Sequence, residues 1–195
     1  MIQIQEEHPL FKSLRRLELE DNWDTDKAFP LYLFPKLQEL KLQGWRNLER
    51  LDVGSSGVTS PLSRLNILFC PKFVSISQTL LFPFLTELEL YQCPKFASIP
   101  TFTLFPSLTV LRLGHCPELE WPEEEEEEEE EGIGGGFPSG LKMLQISNCP
   151  KLLASHNKWN LHTLTSLGQL DIRDEDGNIV DLEGSMDESE KGGMT

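Results

Sequence analysis

The chain has 195 residues, 32 acidic against 17 basic, a formal net charge of −15 and four cysteines. That length suits one domain, and the acidic balance excludes the basic footprint of a nucleic-acid binder. The charge is uneven: nine consecutive glutamates fill 123–131, residues 171–195 hold nine acidic and two basic residues, and the rest carries 14 acidic and 15 basic. A near-neutral folded body with two acidic appendages is expected.

Residues 1–9 read as a short acidic lead-in, without the basic and apolar regions of a secretory signal. No run is long enough to span a bilayer. No N-x-[ST] sequon occurs, which favours an intracellular chain. The first recurring unit, FKSLRRLELEDNW, starts at Phe11 with no capping element before it. An exposed strand edge there is expected to be met by a preceding segment or by a partner. Residues 21–33 are a polar turn and an apolar return, and FPKLQELKLQGWRNL follows at 34–48. Gly54 and Gly57 then mark a flexible loop.

Units three to five are the regular centre: SPLSRLNILFCPKF at 60–73, FPFLTELELYQCPKF at 82–96 and FPSLTVLRLGHCPEL at 105–119. FPSGLKMLQISNCPKL at 137–152 and LTSLGQLDI at 164–172 complete the series. The first leucine of each unit falls at 14, 37, 62, 85, 108, 141 and 167, so the steps are 23, 25, 23, 23, 33 and 26 residues. The long step holds EEEEEEEEEGIGGG. Its like charges repel and its glycines add freedom, which predicts a disordered loop over 122–136, extruded between repeats. Residues 176–195 read as an acidic tail, with one more short strand expected at 177–182.

An L-x-x-L-x-L spacing ending three residues later in Cys is the signature of a leucine-rich repeat: a short strand, then a tight turn. The period-2 step puts the last two leucines on one strand face. The expected fold is therefore α/β: a leucine-rich-repeat solenoid, a horseshoe of about seven coils over 10–175. Its parallel β-sheet would line the concave face, with mostly irregular convex returns. Phe82, Phe105 and Phe137 each precede a strand and are expected to stack as an aromatic spine. Cys70, Cys93, Cys116 and Cys149 share one repeat position. Neighbouring strands lie about 5 Å apart, so a Cys93–Cys116 bridge is sterically open. Buried free thiols are preferred, because the turn already explains the position and no export signal is present. The spacing lacks a C-x-x-C knuckle for zinc.

The residues flanking the strand leucines form three outward columns. One is Arg16, Glu39, Arg64, Glu87, Val110, Met143, Gln169. The middle one is Glu18, Lys41, Asn66, Glu89, Arg112, Gln145, Asp171. The third is Glu20, Gln43, Leu68, Tyr91, Gly114, Ser147, Arg173. Cross-strand charge support is expected from Glu18 facing Lys41 and Glu89 facing Arg112, and from the alternating signs of the first column. Leu68 and Tyr91, with Val110 and Met143 diagonally beside them, suggest an apolar partner site on a wet face. The protein-binding candidates are Arg64, Leu68, Glu87, Glu89, Tyr91, Val110, Arg112, Met143 and Gln145.

No catalytic, metal or cofactor constellation is legible. None of His8, His115, His156 and His162 lies in H-E-x-x-H, and no G-x-S-x-G occurs. His115 and Cys116 are consecutive, and consecutive residues rarely converge their side chains. A binding module is favoured over an enzyme.

The segments FPKLQELKLQ, LNILFCPKF and LTELELYQCPKF, with the C-P-K-[LF] turn, resemble the repeat region of plant intracellular nucleotide-binding leucine-rich-repeat disease-resistance proteins of the coiled-coil class. The L-x-G-x-I-P motif of extracellular plant repeats is missing. The resemblance spans about residues 10–175. It implies a cytoplasmic recognition module that senses a pathogen effector or a guarded host protein and restrains a nucleotide-binding domain. That domain's G-x-x-x-x-G-K-[ST] loop has no match here, so no cofactor is carried over. The resemblance thus implies the C-terminal part of such a receptor, or a truncated gene product. The alternative reading is a specificity subunit of another assembly, such as a ubiquitin-ligase adaptor.

Overall fold

The structure is a computed structural model, and it describes residues 9–21, 27–54, 59–76, 81–99, 101–122 and 136–182. The elements in chain order are α1 (Pro9–Ser13), β1 (Arg16–Glu20), β2 (Ala28–Pro30), β3 (Glu39–Gln43), β4 (Arg50–Asp52), β5 (Arg64–Leu68), β6 (Glu87–Tyr91), β7 (Val110–Gly114), β8 (Met143–Ser147), α2 (Pro150–Ala154) and β9 (Gln169–Arg173). Single 3₁₀ turns lie at Leu31–Leu33, Phe102–Leu104, His156–Lys158 and Leu161–Thr163. This is an α/β arrangement dominated by a seven-stranded parallel sheet in the order β1-β3-β5-β6-β7-β8-β9.

The leucine triplets set the register. Leu17, Leu40, Leu65, Leu88, Leu111, Leu144 and Leu170 are successive partners across the sheet. So are Leu19, Leu42, Ile67, Leu90, Leu113, Ile146 and Ile172. A one-residue slip would turn every one of these side chains to water. β3, β6 and β8 alternate buried and half-buried residues along their length. A narrower parallel ladder runs behind the sheet: β2 pairs β4, and single bridges continue it through Arg50, Ser75, Ser98 and Glu120. The core fills the space between.

Two proline corners recur in these units. In F-P-x-L the leucine N–H donates to the carbonyl three residues back: Leu37 to Phe34, Leu85 to Phe82 and Leu108 to Phe105, at 3.1–3.2 Å. In C-P-x-[FL] the same bond joins Phe73 to Cys70, Phe96 to Cys93 and Leu119 to Cys116, at 3.0–3.1 Å. Proline at the second turn position presets φ and surrenders no needed donor. At Cys149-Pro150 the turn continues into α2 instead, with Pro150 opening the helix.

The row Cys70, Cys93, Cys116 and Cys149 is buried throughout, as free thiols. Each Sγ donates to the carbonyl two residues earlier, at 3.4–3.6 Å. Burial pushes the Cys70 thiol up to about 11 and that of Cys93 up to about 12.

The aromatic spine differs from expectation. Phe82 and Phe105 stack with ring centres 5.5 Å apart, but the Phe137 ring meets Phe102 and Trp121 at 5.0 Å and Trp159 at 5.7 Å. Phe137 therefore packs among Phe102, Trp121 and Trp159 instead of continuing the Phe82–Phe105 stack. A second stack, Phe73 on Phe96 at 5.6 Å, follows the cysteine row. The insertion leaves the sheet intact, because Val110 still pairs with Met143. Residues 123–135 themselves, for which disorder was expected, lie outside the described residues, as do most of the lead-in (1–8), the 55–58 part of the Gly54–Gly57 loop and the end of the tail (183–195).

The extra strand expected at 177–182 is a single antiparallel bridge, Arg173 to Ile179, with the Val180 N–H donating to the Ile172 carbonyl at 2.9 Å. The chain reverses there because Asp174 caps the turn: its carboxylate accepts the N–H groups of Asp176 and Asn178 at 3.0 and 2.8 Å. These bonds, with the Asn178 side chain foremost, hold the Asp174 carboxyl below its usual range.

Candidate protein-docking face

All nine candidates stand on the same open face of the sheet, in register on β5 to β8. None of them is fully buried. The columns build one continuous ion ladder. Glu39 takes Arg16 at 3.5 Å and Arg64 at 3.6 Å, and Glu87 takes Arg64 at 3.9 Å and Arg112 at 2.5 Å. The alternating signs of the first column are therefore realised as contacts. The pairs expected within the middle column are not. Glu18 is bound by Arg16 of its own strand, Lys41 reaches Glu20 at 3.2 Å, and Arg112 turns to Glu87. Glu89 instead accepts from Asn66 Nδ2 at 3.0 Å. Cα partners define a row, but long side chains lean along the strand and choose diagonal neighbours.

The apolar candidates divide likewise. Val110 and Met143 begin their strands, whereas Leu68 and Tyr91 end theirs. Four residues of strand separate the two groups by about 13 Å, and the middle column lies between them. The expected single diagonal cluster is therefore two patches. Met143 Sδ lies 3.4 Å from the Arg112 guanidinium, so that patch is partly roofed.

The Tyr91 patch is larger than its candidates. Tyr91 meets Phe69 edge-on at 5.7 Å and His115 edge-on at 5.0 Å, and Asn148 Nδ2 sits 3.0 Å from His115 Nδ1. Sequence reasoning missed Phe69, His115 and Gly114. Their signal was positional: each stands at or just after the end of the L-x-L strand. The turn there is left-handed in six successive units, with φ of 52° at Asp21, 71° at Gly44, 56° at Phe69, 51° at Gln92, 53° at His115 and 49° at Asn148. Each of these N–H groups donates to a carbonyl on the next strand at 2.8–3.1 Å. Gly114 is required for a different reason. A Cβ there would lie 2.6 Å from the Tyr91 ring, so the ring lies down across the neighbouring strand only because nothing is in its way.

Among the described residues no group of three or more His, Cys, Asp and Glu side chains is placed to hold a metal ion. No described helix is long and apolar enough to cross a membrane. No protein-family model, no curated protein and no solved structure matches the chain.

Proposed function

We propose that the chain is a leucine-rich-repeat solenoid of about seven coils and works as a non-catalytic protein-recognition module. One observation carries the reading: a parallel sheet with an open face. Parallel sheets are ordinarily covered on both sides. Here the outward residues of β3, β5, β6 and β8 are half-buried or exposed, and they form charged columns that end in an aromatic rim. A face so built meets a protein through its aromatic anchors, with the ion ladder fixing register. The C-P-K-[LF] turns add the resemblance to plant disease-resistance receptors. The partner is then a pathogen effector or a host protein under guard in the cytoplasm, and the module restrains a nucleotide-binding domain carried outside this chain.

The test is site-specific photo-crosslinking against a panel of coiled-coil-class nucleotide-binding domains and effectors. A crosslinker at Met143 or Gln145 on the open face is expected to capture a panel member, and one at the exposed Ala97, beside the ladder behind the sheet, is not. Equal capture from both sides, or none from either, overturns the reading.

A further inference from the structure

The recess at the C-terminal ends of β6 to β8 holds a carboxylate with no ion-pair partner among the described residues. It encloses about 130 Å³ and is lined by Glu89, Tyr91, Arg112, Gly114, Gln145 and Ser147. Of its two charged groups, Arg112 is directed away: its guanidinium is held by Glu87 and lies against Met143, both at the opposite ends of their strands. Glu89 forms no ion pair among the described residues, and its described partner is the neutral amide of Asn66. Tyr91 lies two residues further along the same strand face, about 7 Å on. Its ring occupies the space that a side chain at Gly114 would fill, and it stands nearly perpendicular to the neighbouring rings of Phe69 and His115. Phe69 is 43% exposed and takes the same left-handed corner as its counterparts in the other units.

An aromatic face beside an unpaired carboxylate is the chemistry that accepts a cation. We propose that this recess takes an arginine or lysine side chain of a partner polypeptide, its stem on the Tyr91 ring and its charge on the Glu89 carboxylate. The proposal rests on the protein-recognition reading and names what that partner presents. Arginine fits better than lysine, since its planar, forked guanidinium bonds a carboxylate through two N–H groups while its stem lies on the ring. In the charge ladder at the other end of the strands Glu39 and Glu87 each already meet two arginines, so neither carboxylate offers such a place.

The test is a nuclear magnetic resonance titration of the full chain with three blocked peptides, Gly-Arg-Gly, Gly-Leu-Gly and Gly-Glu-Gly, and with methylguanidinium. The arginine peptide is expected to shift the Tyr91 ring and the Gly114, His115 and Ser147 amides saturably, and the other peptides are not. Glu89→Gln, which keeps the size and the Asn66 contact, is expected to weaken it roughly tenfold, as is Tyr91→Leu. Unchanged spectra from β3 and β5 verify that the variants fold. Equal binding of the leucine or glutamate peptide, indifference to Glu89→Gln, or methylguanidinium matching the peptide overturns the proposal. If the arginine peptide fails while crosslinks still form from the open face, the recognition reading stands and only the cationic anchor falls.

Discussion

The middle of the sheet and its two ends are written with the same leucine motif but are built to different tightness. On β5 to β7, Leu65, Leu88 and Leu111 are wholly buried. On β1 the equivalent Leu17 is only half-buried, and on β9 Leu170 is 44% exposed. The motif is the same; the number of flanking strands is not. A unit supplies one wall for each neighbour and cannot close over its own leucines, so stability resides in the interfaces between units. The two ends also differ from each other. The β9 edge is met by the 174–180 hairpin, whereas the described partner of β1 is β3 alone.

The sharpest test of that contrast is a pair of truncations. Leu111→Ala removes a side chain enclosed on both flanks and is expected to cost about 2–5 kcal/mol by urea denaturation. Leu170→Ala, at the same repeat position, is expected to cost under about 1 kcal/mol, since most large effects need burial. Equal losses would break the comparison. Filling rather than emptying gives a smaller effect of the same kind. Gly114→Ala must displace the Tyr91 ring or tilt the strand, at about 1–3 kcal/mol, and is expected to change the Tyr91 ring resonances.

Alkaline titration separates middle from ends in another way. Cys70 and Cys93 lose protons at about 11 and 12 when folded, against an ordinary 9.0. Above pH 9 the unfolded chain therefore holds fewer protons than the folded one, and stability falls as pH rises. Melting temperatures measured from pH 8 to 11 are expected to decline, and a Cys70→Ala, Cys93→Ala double variant is expected to decline less. The smallest expected effect is a gain. Gln92→Gly relieves a left-handed residue at a position where Gly44 already stands in an earlier unit, and is expected to add about 0.5–1 kcal/mol. A loss there would mean that the Gln92 side chain matters more than its φ.

Strand positions and register were legible because a period-2 pattern with a recurring turn leaves one arrangement that points the strand leucines to the same side together. The two proline corners were legible in the same way, since F-P-x-L and C-P-x-[FL] state their own geometry. Side-chain partners were not. The row Glu18–Lys41 can be counted off the sequence, but whether Lys41 leans to Glu18 or to Glu20 depends on rotamers and on the competing claim of Arg16. Trp159 escaped notice because the final return has its own length, so its place against Phe137 and Trp121 follows from no repeat count. The split of the apolar candidates into two patches was readable in principle: Val110 and Tyr91 occupy first and fifth strand positions, too far apart to touch.

The left-handed corner behind the rim has one more consequence. Asp, Gly, Phe, Gln, His and Asn all occupy it with nearly the same backbone and the same bond to the next strand. The corner thus imposes its shape on whatever residue arrives, at a modest cost, and asks nothing of its side chain. Substitutions along this margin therefore exchange one contact preference for another while the interior goes unedited.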